Sequence, residues 1–157
     1  MNQKYIDEAK IESALQECLI HRSRLHGAWQ EAALFMSMPT TTDIPLDEMQ
    51  IRVLDQVVYR FGKLQDTLAM RLLPALLRGV AEWQEKQTFL DRLNRAEQLG
   101  VIPSAEGWLR LRELRNQLTH EYPEHSGMVM AGLRLLMDHV PVLEAVHDQM
   151  VTWKKAR

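Results

Sequence analysis

The stretch from Leu114 to Tyr122, closed by Pro123, places Arg115, Asn116, His120 and Tyr122 within eight positions. No other stretch is as dense in groups that can do chemistry. Histidine has an ordinary pKa close to neutral, so His120 suits proton transfer. Arg115 presents a planar fork of donors that suits an oxyanion or phosphate. Asn116 can orient a neighbouring side chain or bind an anion. Such residues at a helix C-terminus also have a structural use, because cations and histidine there favour the dipole and the last free carbonyls. On an ideal helix Leu111, Leu114 and Leu118 form one apolar stripe for the core, with Arg115 at its edge. Asn116 and His120 are i, i+4 neighbours on one face. Arg115 and His120 point about 140° apart around the axis, so one regular helix does not pair them. Two routes could. Pro123 disfavours helical geometry at Tyr122, so the last turn can unwind and swing His120 around. Alternatively, two copies of the helix meet in a symmetric dimer and each supplies part of the site.

The elements that must position these groups read as helices. Residues 3 to about 37 carry apolar side chains near helical spacing, and Gly27 does not break the pattern. The prolines and threonines of residues 38–45 stop that helix. A second helix starts near Asp47, with Asp47 or Asp43 as cap, and follows Ile51, Leu54, Val58, Phe61, Leu64 or Gln65, Leu68 and Leu72. Pro74 is expected to kink or end it near Leu73. Residues 76–84 continue as a short helical piece or turn at Gly79. Thr88 caps a third helix over 89–99, which Gly100 terminates. Ser104 caps a fourth, which carries the opening stretch. A last helix runs from 126 to about 154, with a kink expected at Pro141. No period-two alternation and no Asn-Gly or Asp-Gly turn signals a strand. The expectation is an all-α, four- to five-helix up-and-down bundle filling residues 1–157 as one domain.

Composition agrees with that class. Of the 157 residues, 46% are hydrophobic and 25% charged, the balance of an ordinary globular protein. Cys18 is the single cysteine, so no internal disulfide forms, and no Cys/His quartet suggests structural zinc. The polar N-terminal residues do not read as a signal peptide, and no run approaches the roughly 18 apolar residues of a membrane span. A cytoplasmic location away from membranes is the expectation. The formal net charge of −2 argues against a general nucleic-acid coat, though it leaves room for a local basic cleft.

The spacing Arg115-x4-His120-x-Tyr122, with polar Asn116 after the arginine, resembles the R-x4-H-x-Y motif of the HEPN family. The likeness is to its HepT-like ribonuclease toxins in particular, and the chain length and helical pattern are compatible. The resemblance implies a homodimer whose motifs face each other across one cleft. It implies an endoribonuclease, needing no metal or cofactor, with Arg115, Asn116 and His120 as its catalytic set. Histidine would take the 2′-hydroxyl proton or protonate the leaving 5′-oxygen, and arginine would hold the charge that grows on phosphorus-bound oxygen. A nucleotidyltransferase antitoxin would adenylylate Tyr122, placing an anionic nucleotide beside the cleft and switching it off. The family often sets an acidic or polar residue of an earlier helix next to the motif. Asp66 lies on such a helix. A rival reading is a non-catalytic substrate-binding or adaptor subunit for a nucleotidyltransferase. A plain helical interaction module is a third.

Outside the motif, Arg60, Lys63, Arg71 and Arg78 fall within about 80° on a continuous helix and could track an RNA backbone. Such a row is more often a solvated face. His120-Glu121 and His125 are spaced one residue too far for a zincin helix, and Pro123 interrupts them. The pairs His21/His26 and His139/His147 make no ligand set. The methionines and the tryptophans Trp29, Trp83, Trp108 and Trp153 suit core and interface.

Overall fold

A computed structural model describes residues 2–37, 46–120 and 126–157, with side chains described outside 119–120 and 126–129. These residues form an all-α bundle, and no strand occurs among them.

Helix α1 (Gln3–Met36) begins where the Asn2 side chain accepts from the Lys4 amide at 3.2 Å. It buries Ile11, Ala14, Cys18, Leu25, Ala28, Ala32 and Met36. The spacing of these positions gives one inward stripe from Ile11 to Met36. Helix α2 (Glu48–Thr67) opens with a capping box. The Gln50 amide donates to Asp47 at 2.8 Å, and the Asp47 amide donates back to the Gln50 side chain at 3.0 Å. These reciprocal bonds satisfy amides that the first turn would otherwise leave free. Its buried line is Leu54, Val57, Phe61, Leu64 and Gln65, packed along α1.

Pro74 neither ends this helix nor stands as a simple break. A π-helical segment, Leu68–Leu72, precedes it, and helix α3 (Leu73–Gly79) follows without a loop. Proline cannot donate and crowds the carbonyl four residues earlier. The widened turn changes the register ahead of it, so the Leu73 amide donates to the Leu68 carbonyl five residues back. Leu72, Leu73, Ala75, Leu76 and Leu77 are all buried, and that burial outweighs the local penalty.

Helix α4 (Phe89–Gln98) has its own capping box between Thr88 and Asp91, with both bonds at 3.1 Å. It ends at Gly100, whose φ of +79° an L side chain rarely adopts. The Val101 amide then reaches back to the Ala96 carbonyl at 2.9 Å, closing the helix end. Helix α5 (Ala105–His120) starts under the Ser104 hydroxyl, which accepts from the Gly107 amide at 2.9 Å. Helix α6 (Ser126–Lys155) carries Pro141 inside it.

Trp108, Leu111, Leu114 and Leu118 turn α5 into the core, where it packs against α2, α4 and α6. Trp108 and Trp153 are buried, and Trp29 and Trp83 are half-buried. Two indoles tie elements together. Trp29 donates to the Met137 carbonyl at 2.9 Å, and Trp153 to the Leu99 carbonyl at 3.0 Å. Met36, Met137 and Met150 are core, whereas Met49 and Met70 are exposed. An ionic cluster clamps α1 to α6. Arg22 donates to both Asp148 oxygens at 2.8 Å and pairs with buried Glu144 at 2.9 Å; His26 Nδ1 lies 2.8 Å from Glu144. No helix among the described residues is long and apolar enough to cross a membrane.

Candidate functional site

The buried Leu111–Leu114–Leu118 stripe fixes the rotation of α5, and that rotation sends Arg115 toward α2. Its guanidinium donates to Asp66 Oδ2 at 2.8 Å. The guanidinium passes beside Gly62 of α2, where a single added carbon would still make an ordinary contact. A Cβ built on Gly62 would stand 3.5 Å from Arg115 Nε and 3.9 Å from its Cγ. Arg115 thus lies along the bare backbone of α2 and meets its carboxylate one turn further on. Both partners are half-exposed, so the pair orients the guanidinium more than it stabilises the fold.

Above this pair opens a shallow cleft of about 220 Å³. Its floor is apolar, made of Val58, Phe61, Leu118 and Leu136, and Tyr59, Lys63, Asp66 and Arg115 line it with polar groups. Asn116 is half-buried on α5. The backbone of α5 is helical through His120, so the last turn does not unwind ahead of that residue. Positions 115 and 120 therefore stand about 140° apart around the helix axis. The His120 side chain and all of Tyr122 lie outside the described residues.

The basic row divides. Lys63 shares the Arg115 cleft. Arg60, beside it, donates to His21 Nδ1 at 2.9 Å. Arg71 pairs with Glu17 and donates to Ser13 at 3.1 Å. It lines a separate cleft of about 280 Å³ with Lys10, Met70 and Arg78. The Arg78 guanidinium stacks 4.2 Å from the Trp83 ring centroid. Glu17 also reaches toward His21 Nε2 at 3.6 Å, so a polar seam Arg71–Glu17–His21–Arg60 joins α1 to α2 and to the π segment that follows it. Burial holds the His21 pKa below its ordinary value, and the positive charges of Arg60, Lys63 and Arg24 push the same way. Neutral His21 can therefore accept from Arg60.

The residues that sequence reasoning did not single out are Tyr59 and Gly62. Tyr59 is 54% exposed, with the Arg60 guanidinium 5.2 Å and the Lys63 ammonium 5.6 Å from its ring centroid. The run Tyr59-Arg60-Phe61-Gly62-Lys63 carried the signal, an aromatic with a cation at i+4 and a helical glycine between them. Among the described residues no group of three His, Cys, Asp or Glu side chains is placed to hold a metal ion.

No protein-family model, curated protein or solved structure matches the chain.

Proposed function

We propose that the chain is a HEPN-type endoribonuclease toxin of the HepT-like kind, working as a homodimer in the cytoplasm and held in check by a nucleotidyltransferase antitoxin. The observation that supports this reading most is Arg115. It is the arginine of the R-x4-H-x-Y spacing, and Asp66 and Gly62 hold its guanidinium at an open cleft instead of burying it. Because α5 stays helical through His120, the route that unwinds its last turn loses ground. Two copies of α5 facing one another give each Arg115 a histidine from across the interface.

In that arrangement one His120 removes the 2′-hydroxyl proton of the RNA. The 2′-oxygen bonds to phosphorus, and the bond from phosphorus to the 5′-oxygen breaks. The second His120 supplies the proton to that leaving oxygen. The products are a 2′,3′-cyclic phosphate and a 5′-hydroxyl. Arg115 and Asn116 hold the phosphoryl oxygens as negative charge grows there. Transfer of AMP from ATP to the Tyr122 hydroxyl, with release of pyrophosphate, would set an anionic group beside the cleft and repel RNA.

The decisive experiment is growth arrest on induced expression, together with cleavage of total RNA by purified protein in EDTA. Wild type is compared with His120→Ala and Arg115→Ala. Arrest and cleavage in wild type, lost in both variants, support the ribonuclease. No arrest and no cleavage by a folded, unmodified dimer refute it. The net charge of −2 favours a second reading, a substrate-binding or adaptor subunit for a nucleotidyltransferase. That subunit would bind its partner and leave RNA intact.

A further inference from the structure

Tyr59 stands at the Arg115 cleft as an exposed aromatic, although Phe61, Trp108 and Trp153 are buried. A tyrosine ring left in water forgoes the burial that stabilises most aromatics, so its setting is informative. Two cations are drawn to the ring, Arg60 from the next position and Lys63 from one turn on. Arg60 is itself anchored by His21, so this flank of the ring is braced from α1. The cleft beside it combines an apolar floor with a charged rim. A bare phosphate would use the rim and leave Val58, Phe61, Leu118 and Leu136 idle. A nucleotide would use both, with a flat apolar base toward the ring and floor and phosphates on Lys63 and Arg115. Single-stranded nucleic acids are held by this combination of an aromatic face for a base and cations along the backbone.

We propose that Tyr59 is a base-stacking platform that takes one unpaired nucleobase of an RNA strand while Lys63 and Arg115 take its phosphates. The proposal rests on the RNA reading above for the class of ligand and is independent of whether the strand is cut. It makes the cleft selective for single-stranded RNA, because a base inside a duplex cannot present its face to the ring.

The test is fluorescence anisotropy with a short, end-labelled RNA carrying 2′-fluoro groups throughout. Without the 2′-hydroxyl it cannot be cleaved by transfer to the 2′-oxygen. A matched strand has the same backbone with abasic sugars. Wild type should bind the base-bearing strand at least tenfold more tightly. Tyr59→Ala should abolish that preference, whereas Tyr59→Trp should keep it. Lys63→Ala should weaken both strands alike and lower the salt dependence by roughly one phosphate contact. Circular dichroism and melting confirm that each variant is folded. Equal binding of the two strands by wild type, or an unchanged preference in Tyr59→Ala, overturns the proposal and leaves Tyr59 to a protein contact. Cleavage of the corresponding 2′-hydroxyl strand is scored separately. A Tyr59-dependent preference without cleavage upholds the platform and removes the ribonuclease reading. Cleavage without a base preference does the reverse.

Discussion

Arg115 donates to Asp66 at 2.8 Å across 49 positions of sequence, and it does so over the bare backbone of Gly62. The contact joins the helix that carries the motif to the helix that carries the basic row. It also makes the size of residue 62 a control on where the guanidinium points.

Gly62→Ala should therefore raise stability by up to about 1 kcal/mol, because glycine is a poor helix former. Its new Cβ would sit in ordinary contact, 3.5 Å from Arg115 Nε. Gly62→Val adds two branches in the same place and should drive Arg115 off Asp66. Thermal melts of both variants, alongside the RNA cleavage assay, separate the effects. Valine should cost activity far more than alanine. Equal activity in the two would show that the position of Arg115 does not depend on residue 62.

Gln65 is 4% exposed, and neither its amide oxygen nor its amide nitrogen has a hydrogen-bond partner among the described residues. A buried amide left unpaired costs roughly 1–3 kcal/mol. Gln65→Met keeps similar bulk without the polar atoms and should stabilise the fold by about 1 kcal/mol. Urea unfolding measures it, and a lower midpoint in the variant would contradict the assignment.

The seam through His21 predicts a pH dependence. Its folded pKa lies below the ordinary 6.5 because of burial first and Arg60 second. The folded state therefore binds the proton less readily than the unfolded chain. Stability from this site is complete above about pH 6.5 and declines as the pH falls below that value toward the folded pKa. Glu17 opposes the shift from 3.6 Å without reversing it. Melting temperatures taken from pH 8 to pH 5 should fall less steeply in His21→Gln than in wild type. Asp148 acts lower down. Its bond to Arg22 holds its carboxyl below the ordinary 3.8, so its contribution persists to acid and fades only as the pH drops below that value.

Arg22→Met should be strongly destabilising, by about 3 kcal/mol, because it strips buried Glu144 of its cation. Combining it with Glu144→Leu should recover most of that loss, since an apolar pair replaces the ions. Chemical denaturation of the two single variants and the double forms a cycle. Additive losses would mean that the two residues do not depend on each other.

Much of the fold was readable from short-range chemistry. Asp47, Thr88, Ser104 and Gly100 mark helix ends through bonds to backbone only a few positions away, and the Leu111–Leu114–Leu118 stripe follows from helical period alone. Gln65 already stood as an alternative to Leu64 on the apolar line, and both are buried. The passage through Pro74 was not readable. Proline argues locally for a kink or a stop, and what decides is the burial of Leu72, Leu73, Leu76 and Leu77 by distant parts of the chain. For the same reason the partners of Arg115, Arg60 and Arg22 could not be assigned. Each lies on another helix, and nothing in the local spacing selects it.

The π segment ahead of Pro74 also sets how this chain responds to changes in length. Its widened turn holds Leu68–Leu72 in a register of its own between two ordinary helices. That turn takes in one residue more than an α-helical turn does. Removing one residue there would return the segment to an ordinary helix and keep Leu73, Leu76 and Leu77 facing the core. Inserting a further residue would instead turn everything downstream by about 100° relative to α2. The segment behaves as a phase-setting element: the spare residue it holds keeps the two ordinary helices in step.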